Sequence, residues 1–243
     1  MKIQLLSDVH YEFWRDASAL PYRLLKHVRD HNINVVIVAG DLTDSWGLAN
    51  GLGTLCRVLH PTPVLYTPGN HEYYGSSPKV VTKALADLVS EHSNLHLLDC
   101  SSVSIQGLNF GGATLWFPDS PLNVAYHHSW TDFYNIYESR PWIYEQNVRA
   151  CEFFTNTQLD VCISHHLPSY QLVAPKWKGE DSNRFFVTEI LTQIPNPPKL
   201  WLFGHTHELT NQLVDSTRCI ANPRGYPREH PGGESYVGLT IEL

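Results

Sequence analysis

The chain has 243 residues, of which 42% are hydrophobic and 17% are charged. This composition predicts a folded protein with one domain over residues 1–243 and excludes a disordered chain. The net charge of −7 and the lack of any run of Lys and Arg argue against nucleic acid or an anionic membrane as a partner. The apolar run before Asp8 is too short for a signal peptide or a membrane span, so we expect a cytoplasmic protein.

Short apolar runs alternate with amphipathic segments in the first half of the chain. The pattern predicts strands at residues 3–6, 35–39 and 64–67, and helices at residues 19–31, 48–59 and from 78 onward. Ser77 and Pro78 suit the N-cap and the first turn of the third helix. This order is typical of the beginning of an α/β domain.

The second half begins with three closely spaced strands, at residues 95–98, 103–105 and 108–115, which are predicted to be adjacent and antiparallel. Residues 117–142 have no clear period and are predicted to form a long loop with short helical pieces. The remaining pattern predicts a helix at 141–156, a loop with a helix at 167–194, and strands at 161–164, 200–203, 210–214, 218–221 and 236–242. We therefore expect a four-layer αββα sandwich of the α/β class, with helices flanking two mixed β-sheets.

Five of the apolar runs end in side chains that can bind a metal. In chain order these side chains are Asp8 and His10, Asp41, Asn70 and His71, His165 and His166, and His205 and His207. Each group follows a predicted strand, at the edge where open α/β sheets bind ligands. Any one group alone has a common solvated, capping or turn role, but five groups in this order indicate one shared site.

Spacing and composition add to this interpretation. A spacing of two, as in Asp8-Val9-His10, places both side chains on the same side of an extended segment. Gly40, Gly69 and Gly204 directly precede three of the groups, where a residue without Cβ permits a sharp turn and close backbone approach. Carboxylate, imidazole and amide donors without a thiolate suit Mn, Fe or Zn ions.

The chain resembles the calcineurin-like metallophosphoesterase superfamily in the order of its motifs. These motifs are Asp8-Val9-His10, Gly40-Asp41-Leu42-Thr43-Asp44, Gly69-Asn70-His71-Glu72, His165 and Gly204-His205-Thr206-His207. Shorter likenesses, at residues 113–116, 164–169 and 222–227, point to a bacterial branch of small single-domain proteins.

The resemblance implies two metal ions that share Asp41. The implied ligands are Asp8, His10, Asp41 and His207 for one ion, and Asp41, Asn70, His165 and His205 for the other. By the same resemblance, His71 stabilises the transition state or protonates the leaving oxygen, and His166 supports the ligands or lines the pocket.

Two cations about 4 Å apart acidify a bridging water and stabilise charge on the attacking and leaving oxygens of a phosphate ester. We therefore expect a dinuclear metal-dependent hydrolase in which a metal-bridging hydroxide attacks phosphorus in line, with Asp41 and His71 as catalytic residues. Small nucleotide-like phosphodiesters or phosphomonoesters are the expected substrates. The alternative is a catalytically inactive relative that binds protein, which would be expected to have lost a ligand or His71.

Substrate binding is predicted for three residues, which are His166, Trp116 and Arg224. Trp116 suits stacking on a base or an aryl group, although core packing is the more common role of such a residue. Arg224 suits a phosphate clamp, although a structural role is again more common. Asp44 has two open interpretations, since it either supports a ligand histidine or begins a helix.

Overall fold

Two β-sheets form the centre of the fold in the computed structural model, which describes residues 1–229 and 233–243. The strands are β1 (Lys2–Leu6), β2 (Val35–Ala39), β3 (Val64–Thr67), β4 (Leu95–Leu97), β5 (Ser101–Ile105), β6 (Leu108–Ala113), β7 (Val161–Ser164), β8 (Leu200–Phe203), β9 (Thr210–Val214), β10 (Thr217–Ala221) and β11 (Leu239–Glu242). The helices are α1 (Leu20–His31), α2 (Leu48–Leu59), α3 (Pro78–Glu91), α4 (Thr131–Asn135) and α5 (Ser139–Asn156). None of these helices is long and apolar enough to cross a membrane.

Both sheets combine a parallel centre with an antiparallel edge. The five-stranded sheet has the order β11-β1-β2-β3-β4, and only β11 runs antiparallel to its neighbour. The six-stranded sheet has the order β5-β6-β7-β8-β10-β9, with antiparallel pairs at its two ends. The prediction of an α/β fold with two mixed sheets flanked by helices is therefore confirmed.

Apolar side chains pack in three layers because each central strand is buried on both faces. In β2, Val36 packs with the helices α1 to α3, whereas the next residue, Ile37, packs between the two sheets with Ile163. On the far side of the second sheet, Phe154 of α5 lies against Trp201, with 4.9 Å between ring centroids. A strand that is buried on both faces reads as a continuous apolar run, as in the sequence VVIVA of β2.

The loops that follow the parallel strands meet at one end of the two sheets. The backbone N–H of Asp8, after β1, donates to the carbonyl of Gly40, after β2, over 3.1 Å. The N–H of Gly204, after β8, donates to the carbonyl of His165, after β7, over 3.0 Å. Nδ1 of His165 lies 3.0 Å from the carbonyl of Ala39, so the loops of the two sheets also contact each other.

The prediction of three adjacent antiparallel strands is wrong for the first of them. β4 pairs in parallel with β3 in the five-stranded sheet, and only β5 and β6 form the antiparallel pair, in the other sheet. The chain crosses between the sheets within residues 98–100, where Cys100 has a φ of 50°. Spacing along the sequence does not reveal such a crossing, because a short turn and a crossing need similar lengths of chain.

The helix expected within residues 167–194 is also absent from the described structure. This segment contains four short 3-10 helices instead, at Tyr170–Leu172, Pro175–Trp177, Asp181–Phe185 and Leu191–Gln193. Pro168 and Pro175 lack the N–H that an α-helix interior needs, which favours short turns here. Strand ends shift too: β6 ends before Leu115, at φ 58°, and β11 begins after Gly238, at φ 87°.

Candidate metal centre

Three overlapping groups of donor atoms lie here, and one of them, His10, Asp41 and His71, connects the other two. The first of the other two clusters consists of Asp8, His10 and His207, whose ligand atoms all lie within 4.8 Å of one another. Nε2 of His10 is 3.0 Å from Nε2 of His207, which in turn is 3.7 Å from Oδ1 of Asp8. Oδ2 of Asp41 lies 3.8 Å from Nε2 of His10. The structure thus brings together the four side chains that were predicted to hold one ion.

The second cluster consists of Asp41, His165 and His205, again with ligand atoms within 4.8 Å of one another. Nε2 of His165 is 3.3 Å from Oδ2 of Asp41 and 2.9 Å from Oδ1 of Asn70. Asp41 therefore lies between both groups of donors, where a carboxylate shared by two ions has to lie.

Left-handed backbone conformations place these side chains. Asp8, His10, Asp41, His205 and His207 all have φ values between 48° and 67°. Such a conformation costs a non-glycine residue about 1–2 kcal/mol, and strain of this kind concentrates at functional sites. The sequence argument assumed extended segments and was wrong in that respect, because both members of each i, i+2 pair have left-handed backbone conformations after the strands.

Two glycines allow the loops to approach one another. A Cβ at Gly40, which has a φ of 80°, would lie 2.2 Å from Nδ1 of His165. A Cβ at Gly69 would lie 2.2 Å from Oδ1 of Asp41. Any other residue would displace a candidate ligand, so the role predicted for these glycines is confirmed.

The donor set fits metal ions. Oδ2 of Asp8 and Nε2 of His205 are buried without a hydrogen-bond partner, although buried polar atoms normally have one. Nδ1 of His165 donates to the carbonyl of Ala39 over 3.0 Å, so Nε2 is the nitrogen directed at Asp41 and Asn70 and the one that would exchange its proton for a metal ion. Carboxylate, amide and imidazole donors together suit Mn, Fe or Zn.

Burial and neighbouring charges perturb the pKa values in the centre. Burial lowers the pKa of His205 well below its usual value, and the nearby His166 and His165 add to the effect, so the imidazole is in the neutral form that binds metals. Burial would raise the pKa of Asp41, but the nearby His165 and His71 hold it well below its usual value. The carboxylate of Asp41 is therefore ionised.

His71 stands beside the clusters and is held by a residue that the sequence did not indicate. Oε1 of Glu12 lies 3.1 Å from Nδ1 of His71 and 3.3 Å from Nδ1 of His10. Burial lowers the pKa of His71, but Asp41 and Glu12 overcome this effect and raise it to about 9. Nε2 of His71 points to the hydroxyl of Tyr226, 3.3 Å away.

A second buried carboxylate, that of Glu72, connects the loops that follow β2 and β3. It accepts hydrogen bonds from the backbone N–H groups of Gly69 over 2.6 Å, Leu42 over 2.7 Å and Asp41 over 3.1 Å. These bonds fix the backbone on both sides of Asp41, which in turn accepts a 2.9 Å hydrogen bond from the N–H of His71 through Oδ1.

The segment 117–142 also reaches the centre, through Asp132 of α4. This buried carboxylate accepts hydrogen bonds from Nδ2 of Asn70 over 2.9 Å, from the hydroxyl of Tyr74 over 2.7 Å and from Nε1 of Trp130 over 2.9 Å. Because Nδ2 of Asn70 donates to Asp132, its Oδ1 is turned toward His165. A further carboxylate contacts a candidate ligand from outside this segment: Oε2 of Glu229 lies 2.7 Å from Nδ1 of His207.

A cleft of about 660 Å³ opens beside the two clusters. Its floor includes the candidate ligands Asp41, Asn70, His205 and His207 together with His71. Its walls come from residues 130–135 and 167–186, which contribute many apolar side chains, and from Phe13 and Tyr226. The cleft therefore joins the candidate metal centre to a large, mostly apolar surface.

The residues predicted to bind substrate are not among those that line this cleft. Trp116 is buried in the core, next to His166 at 5.2 Å between ring centroids. Arg224 is also buried, where its guanidinium lies over Trp14 and donates to Oδ1 of Asp16 over 2.6 Å. Trp116 therefore packs in the core and Arg224 has a structural role, and neither is placed to contact a substrate in the cleft.

His166 and Asp44 also have defined surroundings. Nδ1 of His166 lies 3.2 Å from the carbonyl of Thr114, and its ring packs 4.2 Å from that of His205, so it supports a candidate ligand from behind. Oδ1 of Asp44 accepts a 2.8 Å hydrogen bond from the N–H of Gly47, at the start of α2. Of its two interpretations, the one at the start of a helix is correct.

The sequence profile of the calcineurin-like phosphoesterase family matches residues 1–209, so the chain belongs to that family of metallophosphoesterases. It is 20% identical, over 277 aligned positions, to an uncharacterized protein of Acanthamoeba polyphaga mimivirus, with 99% of this chain and 96% of that protein covered. It is 26% identical over 127 residues to an uncharacterized metallophosphoesterase of Helicobacter pylori, with 51% of this chain and 32% of that protein covered.

Solved structures show the same fold. The phosphopantetheinyl hydrolase from Mycobacterium tuberculosis matches with a TM-score of 0.69 and 16% identity, covering 94% of this chain and 90% of that one. A dimetal phosphatase from Danio rerio matches with a TM-score of 0.59 and 12% identity, covering 95% of this chain and 89% of that one.

Proposed function

We propose that the chain hydrolyses small phosphate esters with the help of two metal ions, Mn, Fe or Zn. One ion would be held by Asp8, His10, Asp41 and His207, and the other by Asp41, Asn70, His165 and His205. The observation that carries this proposal is the position of Asp41 between two clusters of donors, each of which contains one buried atom without a hydrogen-bond partner, Oδ2 of Asp8 in one and Nε2 of His205 in the other.

Ions at these positions would polarise the phosphate, lower the pKa of water and stabilise the charge that develops on the phosphate oxygens. The chain supplies the remaining groups. His71 would carry the proton that the leaving oxygen takes, because Nδ1 is held by Glu12 while Nε2 is directed to the cleft. Asp132 would orient the amide of Asn70, and Glu72 would fix the backbone around Asp41.

A catalytically inactive, protein-binding relative is supported less well. His71 and every implied ligand are present, and the buried contacts of Glu12 and Asp132 preserve their orientation. A surface that only binds protein would not need carboxylates that orient His71 and the candidate ligands.

The test is hydrolysis of bis(p-nitrophenyl) phosphate and p-nitrophenyl phosphate by metal-stripped protein, before and after Mn²⁺ is added. We expect turnover only with the metal, and the preferred ester distinguishes a phosphodiesterase from a phosphomonoesterase. Lack of turnover of both esters by protein with verified bound metal would contradict the proposal for small esters.

A further inference from the structure

The walls of the cleft are aromatic close to the candidate metal centre. The ring of Phe186 lies 4.4 Å from that of the candidate ligand His205, between centroids, so the apolar wall begins at the metal centre itself. Trp130 continues the wall and is braced by Phe185, with ring centroids 4.3 Å apart. Trp177 also lines the cleft and is 49% exposed.

Away from the candidate metal centre and His71, the walls of the cleft offer no cationic side chain to a substrate. None of the described residues that line it is a Lys or an Arg. Of the cations close in sequence to its wall, Lys176 lies 2.5 Å from Glu208 and Arg184 lies 3.6 Å from Asp181. Lys178 and Arg228 are exposed and are not among the residues that line the cleft. A second anionic group on the substrate would therefore lose water without gaining a counterion.

The volume requires more than a phosphate. Cavities of about 300–1,000 Å³ typically hold a drug-sized molecule, and the cleft volume of about 660 Å³ lies within that range. Several aromatic side chains that together line a concave site are a common sign of an apolar ligand, because contiguous apolar surface is rarely left exposed to water without a function.

On the basis of the proposed function, we infer that the substrate carries one phosphate, at the metal centre, and one large uncharged aromatic or apolar group. That group lies against the wall formed by Trp130, Trp177 and Phe186. Polyphosphates and polyanionic nucleic acids are excluded from this class, because their further phosphates would meet an apolar wall and the carboxylate of Glu229.

Binding of non-hydrolysable phosphonates to the Mn²⁺-loaded protein tests the inference by calorimetry. We expect benzylphosphonate to bind at least about tenfold more tightly than methylphosphonate, because its ring leaves water. We expect 4-carboxybenzylphosphonate to bind at least about tenfold more weakly than benzylphosphonate, because its carboxylate is left unpaired. Equal affinity for the methyl and benzyl probes, no binding of the benzyl probe, or equal affinity for the benzyl and carboxybenzyl probes would overturn the inference.

Two test variants, Trp177→Ala and Ser182→Lys, and one control variant show where the apolar group binds. Trp177→Ala should lower the ratio of benzyl to methyl affinity by at least about threefold. Trp46→Ala is the matched control, since Trp46 is 82% exposed and does not line the cleft, and it should leave the ratio unchanged. Ser182→Lys should restore binding of the carboxybenzyl probe, because Ser182 lines the wall. An unchanged ratio in Trp177→Ala would contradict the assigned wall.

The calorimetry also separates this inference from the proposed function. If no ester is hydrolysed while benzylphosphonate binds with the expected preference, the hydrolase proposal fails and the ligand class stands. If esters are hydrolysed while the methyl and benzyl probes bind equally, only the ligand class fails.

Discussion

The strand-end loops that hold the candidate ligands differ from the segments 117–142 and 167–194 that form the walls of the cleft. In the loops, the carboxylate of Asp41 is buried, contacts donors from three other loops and sits on a strained backbone. In the walls, short 3-10 turns carry exposed rings such as Trp177. Under the proposed function, the chemistry would depend on the strand-end loops, whereas the choice of ligand would depend on the irregular segments.

Asp132 links the two regions through a hydrogen bond, as Phe186 does through its ring contact with His205. Asp132 belongs to the segment 117–142, but its side chain is buried against Asn70 of a strand-end loop. A change in this wall can therefore reach the metal centre through one hydrogen bond. Four substitutions test whether activity and metal binding depend on the strand-end loops alone or also on the walls of the cleft.

Asp41→Asn should have the largest effect, because it removes the charge that both clusters share. We expect kcat/KM to fall by at least about 10³-fold, the upper end of the loss for one electrostatic group in an active site. The matched control is Asp87→Asn on the exposed face of α3, which should leave kcat/KM unchanged. Equal activity of the two variants would show that the strand-end loops do not perform the chemistry.

Glu12→Gln should have the next largest effect, because Glu12 holds both His10 and His71. A loss of about 10–100-fold is typical when a carboxylate behind a ligand is removed. The loss should be greater for phenyl phosphate than for p-nitrophenyl phosphate, because the poorer leaving group depends more on proton delivery by His71. An equal loss for both esters would contradict the role of Glu12 in positioning His71.

Asp132→Asn should weaken Mn²⁺ binding by about tenfold, at the low end of the range for such supporting groups. The amide keeps one oxygen for Asn70 and Tyr74 but turns an N–H toward Trp130. Titration of Mn²⁺ by calorimetry measures the effect, with Asp119→Asn, on an exposed residue of the same segment, as the control. Unchanged affinity would mean that the wall does not influence the metal centre.

Asp44→Ala should have the smallest effect on activity, with kcat/KM within about twofold of the wild type. Its loss removes one hydrogen bond, to the N–H of Gly47, so the free energy of unfolding should fall by about 0.5–1.5 kcal/mol. Chemical denaturation measures the change. A loss of activity as large as that of Glu12→Gln would show that Asp44 also supports a histidine of the site.

The sequence predicted the sheets and the candidate ligands for a physical reason. Parallel strands that are buried on both faces give continuous apolar runs, and the residues after their ends meet at one edge. The glycines were informative as well, since Gly40 and Gly69 each leave space that a neighbouring ligand occupies. The backbone conformation of the i, i+2 pairs was not predicted, because left-handed conformations at residues such as Asp8 and His10 have no simple sequence signature.

The supporting residues were missed because their contacts are long-range. Glu12 meets His71 across 59 positions, and Asp132 meets Asn70 across 62 positions. A carboxylate in an irregular segment looks like a solvated side chain until the fold shows that it is buried. The one available signal was the dense aromatic surrounding of Asp132, between Trp130 and Phe133, which is unusual for an exposed loop.

The most direct test of the central claim is an anomalous difference map from crystals of the Mn²⁺-loaded protein. We predict two manganese peaks, one beside Asp8, His10 and His207 and the other beside His165 and His205, with both peaks adjacent to Asp41. A single peak, or peaks that do not share Asp41, would contradict the two-metal account.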